Sequence, residues 1–549
     1  MSSVLRLVLM ATIAAWSISN AAEVPSRAPA TPDQIEAIEP VKSWMGHAQD
    51  QECFVLGFTP DNKLLVTAGR DRFIRVWNVA SWKLEKEISC EFVAKAFVRG
   101  ALSPDGKKVA VIGYNGGLIH EREKWISAAV IDLQTGKACF PQFNGHYRYA
   151  LSASFSPDGK YLATGGEGAD PVTKAKGTNI IVRNAATGQV IWDKEIAGQA
   201  SFEAIDYTPN GKMLLAYDGT WMSRVFCLDA LTGKIIREWQ VKLTSQGRGL
   251  AVSPDGRTLL TATAWDDIAL RRYDLREGRP TGEIRFHSAV DWSQVKLRFY
   301  PSKVTYFPGG WFFAAGGGKG IGAVWEAVTG LPVARLAGVP EAGSFTSLAI
   351  SPDERFIASS DNRGRILIWD FENWRNRLTF SAGAESGDFW EALGHFDPRI
   401  AQFAVRALST KKGSIALLEE HLRTLRRESS ERIDTLIREL NDRDFNVRMA
   451  AEKELMRLGK WIEPQIKSRL VDSLSLQQRR SLEGVWSKTA GRFWNPQEAR
   501  YLRVIQILTE INSDESRTTL QKLAQSGVDD FVTDAAHQSL MRSRQLRNP

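Results

Sequence analysis

The 549-residue chain has only four cysteines, Cys53, Cys90, Cys139 and Cys227, and no two of them form a CxxC pair. Zinc ribbons, thioredoxin-type redox sites and covalent haem attachment therefore lack their ligands. All four are read as packing residues. Seven histidines stand singly and offer no metal cluster. There is no GxSxG elbow, no HExxH and no P-loop. The glycine-rich "GGGKGIG" at 316–322 fails the GxGxxG spacing. The formal charge is +8 but contains no Lys/Arg block, so a dedicated nucleic-acid surface is not expected. Beyond the first twenty residues no apolar run is long enough for a membrane helix. No catalytic residue, cofactor or metal ligand is assigned. Catalytic groups contributed by distant parts of the chain would escape such a scan.

What is present begins at the N-terminus. "MSSVLR" carries one positive charge, "LVLMATIAAWSI" (7–18) is apolar, and "SNAAE" supplies small residues. This is the three-part pattern of a secretory signal peptide, with cleavage after Ala21 or Ala22. The alternative is an uncleaved anchor, which the shortness of the run disfavours. The expected location is periplasmic or extracellular.

Eighteen tryptophans suggest a repeated structural use of Trp. A hairpin phrase also recurs: "FTPDNKLLVTAG" (58–69), "LSPDGKKVAVIG" (102–113), "FSPDGKYLATGG" (155–166), "YTPNGKMLLAYD" (207–218), "VSPDGRTLLTAT" (252–263) and "ISPDERFIASSD" (350–361). A degenerate copy, "YFPGGWFFAAGG", occupies 306–317. From Thr59, Ser103, Ser156, Thr208, Ser253, Phe307 and Ser351 the steps are 44, 53, 52, 45, 54 and 44 residues. Pro presets the first corner of the turn, Asp bonds its own backbone, and Gly accepts a positive φ. Such a period marks β-propeller blades. Blade one reads as four short strands, "CFVLGF", "KLLVTAG", "FIRVWNV" and "KLEKEI". The third strands end in Trp77-Asn78, Ile131-Asp132, Arg183-Asn184, Leu228-Asp229, Tyr273-Asp274, Trp325-Glu326 and Trp369-Asp370.

On these seven copies the chain resembles the WD40-repeat family over residues 40 to about 375. The resemblance implies a ring closed by an N-terminal strand on the last blade, for which "VKSWM" (41–45) is the candidate. It also implies a hydrogen-bonded set that ties a blade together, mapping onto His47, Thr67, Asp71 and Trp77. Elsewhere that set is incomplete: Arg183 replaces the Trp in blade three, Tyr273 in blade five, and Arg363 stands where blade seven should have Asp. The structural reading of this His–Asp pair outweighs a catalytic one, because a propeller needs such groups paired within a blade.

After Trp374 the pattern changes. Apolar residues recur at helical intervals, as in "IDTLIREL" (433–440) and "VRMAAEKELMRLG" (447–459). "FDPRIAQFAVRALS", "DRDFNVRMAAEKELMRLG" and "VDDFVTDAAHQSLMR" each place Asp ahead of an Ala- and Leu-bearing helix, which resembles HEAT-type repeats. The organisation expected is a signal peptide (1–22), a linker (23–39), an all-β seven-bladed propeller (40–375), a linker (376–387) and an all-α HEAT-like domain (388–549). This arrangement resembles a group of exported bacterial WD40-repeat proteins, a resemblance that implies no particular chemistry.

The family resemblance places the loops between second and third strands, and those leading into each blade, on a common partner-binding face. Here they are unusual: blade two has a long insertion, "YNGGLIHEREKW" (114–125), blade three another, "GEGADPVTKAKGT" (166–178), blade four "DGTWM" (218–222), blade five "AWDD" (264–267), and the entry to blade six "SAVDWSQ" (288–294). Trp125, Trp221, Trp265 and Trp292 would share one rim, and large aromatics favour interface hot spots. Alternatively each Trp fills a gap in its own loop. The expected function is a non-enzymatic scaffold that binds a protein partner through this rim and through the helical surface. The alternative is an enzyme, or a small-ligand or carbohydrate binder, using the central channel or rim.

Overall fold

The computed structural model describes residues 35–90, 96–114, 128–141, 143, 146, 150–166, 178–196, 202–219, 223–241, 245–265, 269–285, 301–317, 322–339, 342–378, 389–395, 397–423, 430–458, 469, 474–490, 496–525 and 530–545. Two short strands come first, β1 (Ala37–Ile38) and β2 (Lys42–Met45). Blade one follows as β3 (Cys53–Phe58), β4 (Leu64–Gly69), β5 (Phe73–Asn78) and β6 (Lys83–Ser89). Blade two has β7 (Ala96–Leu102), β8 (Lys108–Tyr114) and β9 (Ala128–Asp132). Blade three is β10 (Ala150–Phe155), β11 (Tyr161–Gly166), β12 (Thr178–Asn184) and β13 (Val190–Ile196). Blade four is β14 (Phe202–Tyr207), β15 (Met213–Asp218), β16 (Arg224–Asp229) and β17 (Ile235–Gln240). Blade five is β18 (Ser245–Val252), β19 (Thr258–Trp265), β20 (Ala269–Asp274) and β21 (Arg279–Arg285). Blade six is β22 (Pro301–Tyr306), β23 (Phe312–Gly317), β24 (Gly322–Glu326) and β25 (Pro332–Leu336). Blade seven is β26 (Phe345–Ile350), β27 (Phe356–Asp361) and β28 (Arg365–Asp370).

The recurring hairpin forms by local chemistry. In blade two the Ser103 hydroxyl donates to Asp105 Oδ1 (2.5 Å) and accepts from Lys108 N (2.8 Å). Asp105 Oδ1 accepts from Lys107 N at 3.0 Å. Gly106 completes the corner at φ 69°, a conformation that costs a residue with Cβ about 1–2 kcal/mol. The same pattern recurs at Thr59/Asp61, Ser156/Asp158, Thr208/Asn210 and Ser351/Asp353. In blade six Phe307 has no hydroxyl. It is fully buried and packs on Phe312 and Phe371, with ring centroids 5.6 and 4.8 Å away.

The ring closes between its ends. β2 pairs antiparallel with β28, with Lys42 opposite Ile368 and Met45 opposite Arg365, and Val41 N donates to Ile368 O at 2.7 Å. Blade seven thus takes its outer strand from the start of the chain, and Trp44 of that strand meets Trp77 of blade one edge-on at 5.2 Å. β1, from the segment read as a linker, adds a fifth strand to blade six, parallel to β25. Blade two departs the other way. Among the described residues its sheet has three strands, with the isolated bridges Ala128↔Phe143 and Ile131↔Ala138 at its outer position. Pro141 falls between them and has no N–H to give to a ladder.

About ten helices follow: α1 (Phe371–Asn376), α2 (Phe389–Leu393), α3 (Pro398–Thr410), α4 (Ser414–Arg423), α5 (Ser430–Glu439), α6 (Phe445–Leu458), α7 (Leu476–Ala490), α8 (Pro496–Ile511), α9 (Asp514–Gln525) and α10 (Asp530–Gln545). Helix α1 packs on blades six and seven through Phe371 and Trp374, and the others build two cores. In one, Ala404, Val405 and Leu408 of α3 meet Val504, Ile505 and Leu508 of α8, together with residues of α4, α9 and α10. In the other, α5, α6 and α7 bury Ile433, Leu436, Leu455 and Leu482 among themselves. The second core lies in sequence between the two halves of the first. The first core is therefore closed by helices far apart in the chain, rather than by the sequential stacking that a HEAT-like array implies.

Candidate functional site

Antiparallel strands fix which loops share a face. Turns joining the first and second strands, and the third and fourth, emerge at one end of every blade; we call this the turn face. Connections from second to third strand, and between blades, emerge at the other end, the insertion face. The second strands of blades two to five end at Tyr114, Gly166, Asp218 and Trp265. The four insertions thus leave from adjacent blades at the same end of the ring. Trp265 is the last residue of β19, its backbone opposite Ser245. Trp125, Trp221 and Trp292 lie outside the described residues.

The helices dock on the turn face. Val328, from the turn between β24 and β25, joins their core, and Trp311, from the turn between β22 and β23, packs against it. Arg257 and Arg276, from the two turns of blade five, pair with Asp534 of α10. The centre of this contact is Glu326. In most blades the last residue of the third strand is Asp or Asn, whose short side chain caps the next turn. Asp229 Oδ1 accepts from Thr232 N at 2.8 Å in this way. Glu326 is one methylene longer. It still accepts from Thr329 Oγ1 (2.7 Å), and also reaches the helices. Arg503 of α8 donates to both its oxygens, from Nε at 2.9 Å and Nη2 at 2.6 Å, and Gln402 Nε2 donates at 2.9 Å. Arg503 donates as well to the carbonyls of Leu393 and His395. Both charges are essentially inaccessible to water. Bidentate geometry with every oxygen engaged is what lets a buried ion pair persist. Sequence reasoning missed Glu326, Gln402 and Arg503. The available clue was a single Glu in a column of Asp and Asn.

The four residues of the blade network are brought together as one chain of hydrogen bonds. Trp77 Nε1 donates to Thr67 Oγ1 (3.0 Å), Thr67 Oγ1 lies 2.9 Å from His47 Nε2, and His47 Nδ1 lies 2.9 Å from Asp71 Oδ1. Burial lowers the His47 pKa although the Asp71 carboxylate pulls it upward. Burial by itself would raise the Asp71 carboxyl, but hydrogen bonds from His47 and Arg75 and the charges beside it hold it well below the usual range. A neutral imidazole between a hydroxyl and a carboxylate fits a cross-link inside a blade. Blade three varies the theme: His146 contacts Asn179 Oδ1 and Thr164 Oγ1, both at 2.8 Å, and Arg183 lies over Phe143. In blade seven Asp361 takes the role expected at position 363, accepting from Gly343, Arg363 and Arg365 main-chain N–H groups.

The inner strands also bring polar groups together. Arg99 of blade two donates to Glu203 of blade four, at its carbonyl (2.6 Å) and Oε2 (3.2 Å). Ser154 of blade three donates to Asp206 Oδ1 at 3.0 Å. Burial raises the Asp206 carboxyl to about 6 against that bond. The four cysteines are free thiols, and three are buried. Burial pushes the Cys90 thiol up to about 12, which disfavours the reactive thiolate. Among the described residues no group of three or more His, Cys, Asp or Glu could hold a metal ion, and no helix is long and apolar enough to cross a membrane.

The family model "WD domain, G-beta repeat" matches residues 38–78, 137–170 and 334–370. Each match starts near the outer position of one blade and runs into the next, so the sequence repeat is staggered against the blade. That stagger is the reason the N-terminal strand must close the ring. The chain is 25% identical over 219 residues to WD repeat-containing protein SL1-17 of Schistosoma mansoni, a stretch covering 40% of this chain and 64% of that relative. The alignment therefore spans under two thirds of the relative's length. Seven blades, three matched repeats and this similarity together support the WD40 family, with a helical region of about ten helices behind the propeller.

Proposed function

We propose that the protein is an exported, non-enzymatic scaffold that binds another protein on the insertion face of its ring. The observation that carries this reading is the opposition of two faces. The helices dock on the turn face at blades five and six, so the strand ends at Tyr114, Gly166, Asp218 and Trp265 point away from them. The connections leaving these ends contain Trp125 and Trp221, and Trp265 closes its strand; in the sequence Trp292 falls between β21 and β22. Strands and tight turns already complete a blade, so the Trp-bearing connections, above all the long one between Tyr114 and Ala128, need another cause. The protein-binding habit of WD40 propellers supports the same conclusion. The remaining helical surface, including the separate α5–α7 core, would offer a second contact area.

A second reading, a small ligand in the central channel, draws on Arg99, Ser154, Glu203 and Asp206, which converge from three blades. Their mutual bonds also suit plain cross-linking of the inner strands, so the scaffold reading is preferred. The test is capture of partners from the exported fraction, followed by direct binding of the recovered partner. Trp221→Ala with Trp265→Ala should weaken that binding at least about tenfold while the melting temperature stays unchanged. Unfolding of the double variant would make both residues core and remove this reading. Equal binding by variant and parent would do the same.

A further inference from the structure

A cavity of about 80 Å³ lies in the seam between propeller and helices. At about 10–15 Å³ per water it has room for roughly five to eight waters, the size of a small aliphatic amino acid. Blade five supplies Asp255 and Arg272 to its wall, blade six Tyr306 and Trp311, and helices α8 and α10 Leu502 and Ala535. Domain seams are preferred places for small-molecule sites.

The wall is built rather than incidental. Arg272 is 8% exposed; its Nε donates to Thr281 Oγ1 and its Nη1 to Ala327 O, both at 3.2 Å. Asp255 is fixed by the Ser253 hydroxyl and by Arg257 N. The Tyr306 hydroxyl, 3.1 Å from Thr258 Oγ1, feels both the Arg272 cation and the Asp255 carboxylate. The cavity therefore holds fixed charges of opposite sign near one hydroxyl, with an apolar wall of Trp311, Leu502 and Ala535. A ligand of single charge would meet a like charge here. A dipolar molecule meets an opposite charge at each end.

We propose that this seam binds a free α-amino acid with an aliphatic side chain, its carboxylate toward Arg272, its ammonium toward Asp255 and its side chain against the apolar wall. The ligand would touch ring and helices together, so binding would strengthen their docking. The proposal is independent of the insertion-face reading, since it concerns the opposite face.

The test uses the full chain with leucine, leucine methyl ester and N-acetyl-leucine as probes, read by calorimetric titration and thermal melting. Saturating leucine should give a saturable heat and raise the melting temperature by about 2 °C or more. The ester and the N-acetyl compound, each lacking one charge, should do neither. Asp255→Asn keeps an oxygen acceptor for the turn and removes the charge. It should melt like the parent without ligand and lose the leucine response at least tenfold. Absence of any leucine response, equal response to the blocked probes, or a full response by Asp255→Asn would overturn the proposal. If Asp255→Asn alone proves unstable, the comparison of the three probes on the parent chain decides.

Discussion

Trp77 joins two functions of a single side chain, and they can be measured apart. Its indole fills space beneath the closing strand, against Trp44, and its N–H starts the bonded chain through Thr67 and His47 to Asp71. Trp77 is 6% exposed, so Trp77→Ala should cost about 3–5 kcal/mol of propeller stability. Trp77→Phe keeps much of the apolar contact and loses the donor, and should cost about 1–2 kcal/mol. Urea denaturation of both variants checks the order. A Trp77→Ala protein within 1 kcal/mol of the parent would contradict the role assigned to the ring. Thr67 keeps its contact with His47 in both variants, so the loss in Trp77→Phe reports on one bond.

At the scale of elements, the recurring turns do more than reverse a strand. In blades two to five the glycine of the turn lies beside the proline of the turn before it. A Cβ on Gly106 would stand 2.9 Å from Pro60 Cδ, and one on Gly159 would stand 3.9 Å from Pro104 Cδ. Both glycines have φ near +70°. Alanine at either position should therefore cost about 1–2 kcal/mol for the left-handed backbone. Only Gly106→Ala adds a clash with the neighbouring blade, at Pro60 and Thr59. It should be the more destabilising by about 1 kcal/mol, measured by parallel urea melts. Equal losses would show that the turns do not press on one another.

The whole molecule depends on a contact between residues 177 apart in sequence, Glu326 and Arg503. Arg503→Met would leave the Glu326 carboxylate buried with only Thr329 and Gln402 as donors. Removing one partner of such a pair costs about 3–5 kcal/mol. The expected outcome is loss of helical docking: two calorimetric transitions in place of one, and faster amide exchange across α8. Adding Glu326→Gln should recover part of the loss, because the uncompensated charge is then gone. An Arg503→Met protein with the parent's melting profile would remove Glu326 as the anchor between the two parts.

The propeller is legible in local sequence. Each hairpin is encoded locally, through bonds such as Ser103 to Asp105 and Lys108, and seven copies at blade spacing define a ring. Val41–Met45 was readable as the closing strand through the family resemblance, and it pairs with the last blade. His47, Thr67, Asp71 and Trp77 were readable through the family resemblance. Other features were decided by tertiary structure. β1 found an open outer edge on blade six, where it pairs parallel with β25. Arg503 and Gln402 carry no local pattern that points at Glu326; only the packing of α3 and α8 on blade six brings them within reach. Turn chemistry acts between neighbours in sequence, where a reader can see it. Docking acts between surfaces that exist only once the ring and the helices have formed.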